Sequence, residues 1–174
     1  MSKTVLSQIF LLFLAVALVI RTVPEINAFH RTNQREGFSD LSHLPSRALK
    51  ALSFGFEGVM ADFLMLKVMT VTGEKLINRE TFSPEDYRLM TRSFDTVTDI
   101  DSRFWDPYLL AETMLTWQGG MIEEANRLLL KAAENLPLDY RPYYFLGFNH
   151  LYFLKQDEKA GEYMSEAAKR PGAP

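Results

Sequence analysis

The chain has 174 residues, of which 47% are apolar and 24% charged, with 13 Phe, 7 Tyr and 2 Trp; this is enough apolar side chain for a folded core and excludes wholesale disorder. A formal charge of −3 supplies no basic footprint for nucleic acid. There is no cysteine, which excludes disulfides, thiolate metal sites and acylation of a lipoprotein cysteine.

After Lys3, the run from Thr4 to Ile20 is apolar except at Thr4, Ser7 and Gln8, and Arg21 closes it. At 1.5 Å per residue it spans about 25 Å, a little under the ~30 Å hydrocarbon core of a bilayer. A cleaved signal peptide needs small residues directly after the apolar run, and Ile20-Arg21-Thr22-Val23-Pro24-Glu25 offers none. Cleavage after Ala28 would put Ile26 where a small residue belongs. The expectation is one uncleaved anchor over residues 1–28, crossing an inner (cytoplasmic) membrane once. Lys3 favours an N-terminus inside, while Arg21, Arg31 and Arg35 pull the other way. The two-residue tail before Lys3 is easily left behind in the cytoplasm, which favours a folded part in a bacterial periplasm.

Residues 29–46 are polar and punctuated by Asn33, Gly37, Asp40 and Pro45, which predicts a tether. From 47 to 174 the pattern is helical. No proline interrupts Arg47 to Ile77, and Val59 to Leu66 is apolar except for Asp62. This predicts one helix, apolar around most of its circumference, buried on several sides or set against lipid. Gly55 and Gly58 within it suggest close approach of a neighbouring backbone. Ser83-Pro84-Glu85-Asp86 combines an N-cap, a first-turn proline and first-turn acids; the helix it opens carries Tyr87, Met90, Phe94 and Val97 as one buried stripe. Further helices start at Asp106-Pro107, Met121, Arg141-Pro142 and Asp157, and stop at Gly119-Gly120, Asn135-Leu136-Pro137, about Leu154 and Pro171-Gly172. No segment alternates with period two, so the fold class is all-α.

A shift of 35 residues lays Pro107-Tyr108 on Pro142-Tyr143, Glu123 on Glu158, Ala125 on Ala160 and Ala132-Ala133 on Ala167-Ala168. Trp117 falls on Tyr152 and Leu129 on Met164. Small residues let two antiparallel helices approach closely, and the large residue one turn away fills the groove beside them. On these residues the chain resembles the tetratricopeptide-repeat family. The middle unit supplies Thr113, Gly120, Ala125, Leu129, Ala132 and Pro137. The last unit supplies Leu146-Gly147, Ala160, Met164, Ala167 and Pro171. The middle unit has Leu109 where the family places an aromatic, the last unit lacks the turn glycine, and the first unit is degenerate. The resemblance implies a short right-handed solenoid of about three helix pairs behind the single membrane helix, and a role in binding proteins.

Few residues suggest chemistry. His30, His43 and His150 are far apart and lack the helical i, i+4 spacing of metal ligands; His150 reads as a packed core residue. Asp99 and Asp101 have neither the glycine nor the downstream Glu of a calcium loop, so they read as capping and loop-solvating acids. Asp62, an acid inside an apolar run, predicts an ion pair or cap contact with a neighbouring helix. No catalytic residue, cofactor-binding residue or metal ligand stands out, and the chain does not read as an enzyme. The densest anomaly is Tyr140 to Phe153, with seven aromatic residues. In a repeat stack the first helix of each pair lines the concave face where partners dock, so Tyr144, Asn149 and Tyr152 are the candidate contacts. Tyr163, Met164 and Ala168, on the last helix, are candidates for an edge covered by a partner subunit. The function expected is a membrane-anchored scaffold or assembly subunit for membrane-associated proteins. The alternative is a structural accessory subunit permanently built into a large membrane complex.

Overall fold

In the computed structural model every regular element among the described residues is a helix. Those residues are 12, 13, 16–18, 20–22 and 44–173. The chain divides into two units, Met1–Asp40 and Leu41–Pro174. In the first, the described residues are helical and Leu12, Phe13, Val16, Leu18 and Ile20 are exposed. Most of the expected anchor and nearly all of the expected tether lie outside the described residues. Among the described residues no helix is long and apolar enough to cross a membrane.

The second unit runs α1 (Ser46–Leu52), α2 (Glu57–Ile77), α3 (Pro84–Ile100), α4 (Asp106–Ala111) continuing as a π-helical segment (Glu112–Gln118), α5 (Ile122–Asn135), α6 (Arg141–Tyr152) and α7 (Asp157–Ala168). The start signals act as expected. Ser83 accepts from the Asp86 N–H while the Asp86 carboxylate accepts from the Ser83 N–H, a full capping box. Proline occupies the first turn of α3, α4 and α6. The single helix expected over residues 47–77 is instead two. Phe54 and Gly55 adopt φ of 51° and 88°, which turns the chain between α1 and α2. Gly55 is therefore present for its backbone conformation: a Cβ there would meet nothing within 4 Å, and one at Gly58 would touch only Asp101 Oδ2, at 3.8 Å.

From α2 onward each helix packs mainly on its neighbours in sequence, whereas α1 packs mainly on α3. The core is built from Leu49, Phe94, Val97, Ile100, Tyr108, Leu115, Leu128, Leu129 and Leu146, all nearly or fully buried. The repeating positions Ala125, Leu129, Ala132, Ala160 and Ala167 are buried too. Gly120 has φ of 64° and makes the turn into α5. Gly147 brings α6 against α7, because a Cβ there would lie 2.9 Å from Met164 Cγ and 3.2 Å from the Ala160 carbonyl oxygen. The Pro137 carbonyl accepts from Arg170 Nε at 3.0 Å, which ties the turn before α6 to the end of α7; Pro137 and Pro171 themselves are exposed.

The acids between α3 and α4 serve structure. Asp99 pairs with Lys131 and accepts from Ser46 Oγ at 2.7 Å, and Asp101 accepts from the Arg103 N–H at 3.0 Å. Asp95 pairs with Arg127 and Lys131 of α5; burial pushes its pKa up, but those two cations outweigh it and hold the carboxylate below its ordinary range. Asp62 is not buried against a neighbouring helix. It is exposed on α2, so it needs no internal partner.

Candidate protein-binding surface

Two helices of the second unit lie side by side and point the same way. Ring contacts at both ends fix this: at their starts Trp105 stacks on Phe145 with centroids 6.3 Å apart, and at their ends Trp117 meets Tyr152 at 5.4 Å. One is α4 with its π-helical continuation, the other α6. Leu109, Thr113 and Trp117 recur every fourth residue and are exposed, and Tyr144 and Tyr152 are exposed on α6.

The near end of this face is a groove of about 390 Å³ lined by Trp105, Leu109, Tyr140, Arg141, Tyr144 and Phe145. The Arg141 guanidinium lies 4.3 Å from the Trp105 ring centroid, a cation–π contact. It is held there by Asp139, whose carboxylate accepts from Arg141 Nε and from the Arg141 backbone N–H. Arg141 in turn keeps the Asp139 carboxyl below the usual carboxylate range, against a smaller upward push from burial. Tyr140 and Tyr144 meet edge to face at 6.5 Å, and Tyr144 and Phe145 at 5.7 Å.

The far end is a cluster of Trp117, Phe148, Tyr152 and Phe153 with centroids 5.0 to 6.2 Å apart. Trp117 is 56% exposed and Tyr152 50%. The ring of Tyr152 stacks on Phe148 and carries the Lys155 ammonium 5.2 Å from its centroid. Large rings held rigid by one another offer contact area at little entropic cost.

Beneath this face lies a buried polar network. Asn149 Nδ2 donates to Glu112 Oε2 at 2.8 Å and to Asn126 Oδ1 at 2.9 Å, joining the π-helical segment, α5 and α6. Thr116 Oγ1 donates to the Glu112 carbonyl. Glu112 is 2% exposed and no cation pairs with it among the described residues. Burial pushes its pKa up, and the hydrogen bonds from Asn149 and Thr116 offset only part of that. The π-helical winding is where such a group is accommodated: Gly119 N–H reaches back five residues to Met114, and the widened turn buries Met114, Leu115 and Thr116 in succession while Trp117 stays outward.

No known family model, curated protein or solved structure matches the chain.

Of the candidate contacts read from the sequence, Tyr144 and Tyr152 sit on the exposed aromatic face. Asn149 does not: it is fully buried and spends its amide on Glu112 and Asn126, and its Oδ1 has no partner among the described residues. Tyr163 stacks on His150 at 5.2 Å and Met164 covers Gly147, so both are half-buried inside the α6–α7 pair, and only Ala168 of that edge is exposed. His150 is buried, its Nδ1 2.9 Å from Gln156 Oε1. Sequence reasoning missed Trp105 and Trp117 as members of the face. The 35-residue shift that lays Trp117 on Tyr152 was the signal for one of them. It also missed Glu112, an acid between Ala111 and Met114 in an otherwise apolar stretch.

Proposed function

We propose that this protein is a membrane-anchored scaffold or assembly subunit that holds protein partners on a tetratricopeptide-like repeat surface. The observation that carries the proposal is the exposed aromatic face of α4, its π-helical continuation and α6. In a repeat stack this is the concave side, formed by the first helix of each pair. Two further observations support the repeat architecture: the equal direction of those two helices, and the close approach of α6 and α7 at Gly147. The anchor is supported by the apolar run from Thr4 to Ile20, whose described residues are helical with their apolar side chains outward. An anchor raises the effective concentration of the repeat surface near membrane partners. Lys3 and the two-residue tail before it, easily left in the cytoplasm, favour placing that surface in a periplasm.

A second reading is favoured by α2. Its outward face carries Phe56, Val59, Phe63 and Leu66, all exposed, and a monomer rarely leaves so large an apolar patch open. This suits an accessory subunit built permanently into a larger assembly.

The test is recovery of partners with the tagged full-length chain in mild detergent, followed by cross-linking and mass spectrometry. Trp117→Ala and Tyr152→Ala, at exposed positions, are expected to lower partner recovery by about 30-fold if these rings are interface anchors worth roughly 2 kcal/mol, with the unfolding midpoint little changed. Undiminished recovery with both variants sinks the aromatic-face proposal. Partners in fixed proportion support the accessory-subunit reading; many substoichiometric partners support the scaffold.

A further inference from the structure

The outward face of α2 has an order that apolar exposure alone does not require. Starting at the N-cap, Phe56, Val59, Phe63, Leu66, Thr70, Gly73 and Ile77 recur at alternating spacings of three and four. That is the a/d pattern of a helix that packs lengthwise against another helix. The residues α2 buries in its own unit are Ala61, Leu64, Met65 and Val68, which fall on the b, c and f positions of the same heptads. The helix therefore has two seams: one is filled by α3 and the other is open. Phe56 is 69% exposed, Leu66 65% and Ile77 83%. With roughly 100 Å² per exposed large side chain, the five large apolar residues of the seam offer on the order of 500 Å² per copy, and the flanking Met69 and Leu76, also exposed, add about 200 Å², which approaches the roughly 800 Å² each partner gives to a standard interface.

The charges beside the seam indicate what fills it. Asp62 takes a g position and Lys67 the e position five residues later. Asp62 is exposed and has no hydrogen-bond or ion-pair partner among the described residues. Lys67 lies over the ring of Phe63, 5.5 Å from its centroid, and has no ion-pair partner among the described residues. Five residues apart on one helix, the two cannot face each other. Across two parallel copies in register, each g position faces the partner's following e position, so Asp62 of each copy meets Lys67 of the other. The two-fold axis then makes both pairs at once. In an antiparallel pair g faces g and e faces e, and Asp62 would not reach Lys67.

We propose that the bare face of α2 is a parallel, two-fold interface between two copies of this chain, with Phe56, Val59, Phe63 and Leu66 in the seam and Asp62 and Lys67 crossing it. The inference deepens the accessory-subunit reading by naming what covers α2, and it stands apart from the aromatic face. Thr70 and Gly73 carry little apolar surface, so the seam is strongest over its first two heptads.

The chain has no native cysteine, so single cysteines report contacts without background. In membranes and in mild detergent, the full-length Val59→Cys and Phe63→Cys variants are expected to form disulfide-linked dimers on mild oxidation, while Leu130→Cys, exposed on α5, does not. The protein mass in detergent should be twice that of the 20.0 kDa chain. Asp62→Lys should weaken association about tenfold by turning two attractions into repulsions, and adding Lys67→Asp should restore it. A chain that is monomeric in both settings overturns the proposal, as does a dimer that neither cysteine traps or that ignores the charge swap. Trapping of a different protein at residues 59 and 63 in fixed proportion also overturns it while leaving the accessory-subunit reading standing. Protection of these positions by lipid in a monomer overturns both.

Discussion

Two glycines that look alike in the sequence should respond oppositely to the same change. Gly147 lies within α6 and Gly161 within α7, and replacing either with Ala gains up to about 1 kcal/mol of helix propensity. At Gly161 nothing lies within 4 Å of the new methyl group, so the gain is kept. At Gly147 the methyl would sit 2.9 Å from Met164 Cγ, 3.2 Å from Met164 Cε and 3.2 Å from the Ala160 carbonyl oxygen. Met164 is flexible and can swing away, but the carbonyl belongs to the backbone of α7. Relief there means parting the two helices, and overpacking of that kind costs about 1–3 kcal/mol. The net expectation is Gly147→Ala destabilised by about 1 kcal/mol and Gly161→Ala stabilised by about 0.5–1 kcal/mol. The variants should then differ by roughly 6–10 °C in Tm for a unit of this size. Thermal unfolding of the two full-length variants, followed by circular dichroism in the same detergent, measures the gap. If Gly147→Ala melts as high as Gly161→Ala, the α6–α7 approach is not set by the missing side chain, and the packing rationale for the repeat positions fails with it.

Burial lifts the folded-state pKa of Glu112 above its unfolded value, so the folded chain holds a proton that the unfolded chain has lost. Stability must therefore fall as pH rises from the ordinary glutamate range to that raised value. Glu112→Gln should flatten this slope and be more stable than the parent above it, whereas Glu112→Ala should cost about 1–3 kcal/mol by leaving the buried Asn149 amide without one of its two acceptors; denaturant titrations across pH separate the two. Asp95 titrates the other way: Lys131 and Arg127 depress its folded pKa, so its contribution is present above the unfolded carboxylate range and is lost as pH falls through the depressed value. Asp95→Asn should weaken the chain at neutral pH and blunt its acid unfolding. Ser83→Ala should cost about 1 kcal/mol by breaking the capping box of α3, read from the denaturation midpoint at unchanged m-value.

Much of the helical layout was legible in the residues. The Pro, Ser and Asp start signals and the Gly stops act within a few residues, so their meaning does not depend on distant contacts. That is why the starts of α3, α4, α5, α6 and α7 fall within a residue of where the pattern predicts them. The buried alanines were legible for a related reason, since repetition at a fixed interval marks positions that meet the same packing demand twice. The break between α1 and α2 was not: Phe54 takes a left-handed conformation that its side chain does not advertise. Nor was the π-helical winding, which arises where Glu112 must be buried with Asn149 and Asn126 from two other helices.

The candidate surface divides along the same line. Sequence alone determined that Tyr140 to Phe153 holds more rings than one helical stripe can bury, because composition and periodicity are local properties. Only the tertiary structure decided which rings face outward. Trp117 joins Tyr152 because α6 lies beside the segment that carries it, and Asn149 turns inward because the buried Glu112 carboxyl takes its amide as a donor. Likewise the apolar character of α2 could be read directly, but which of its two seams is filled depends on where α3 packs. Exposure is a property of the assembled helices, and no single segment encodes it.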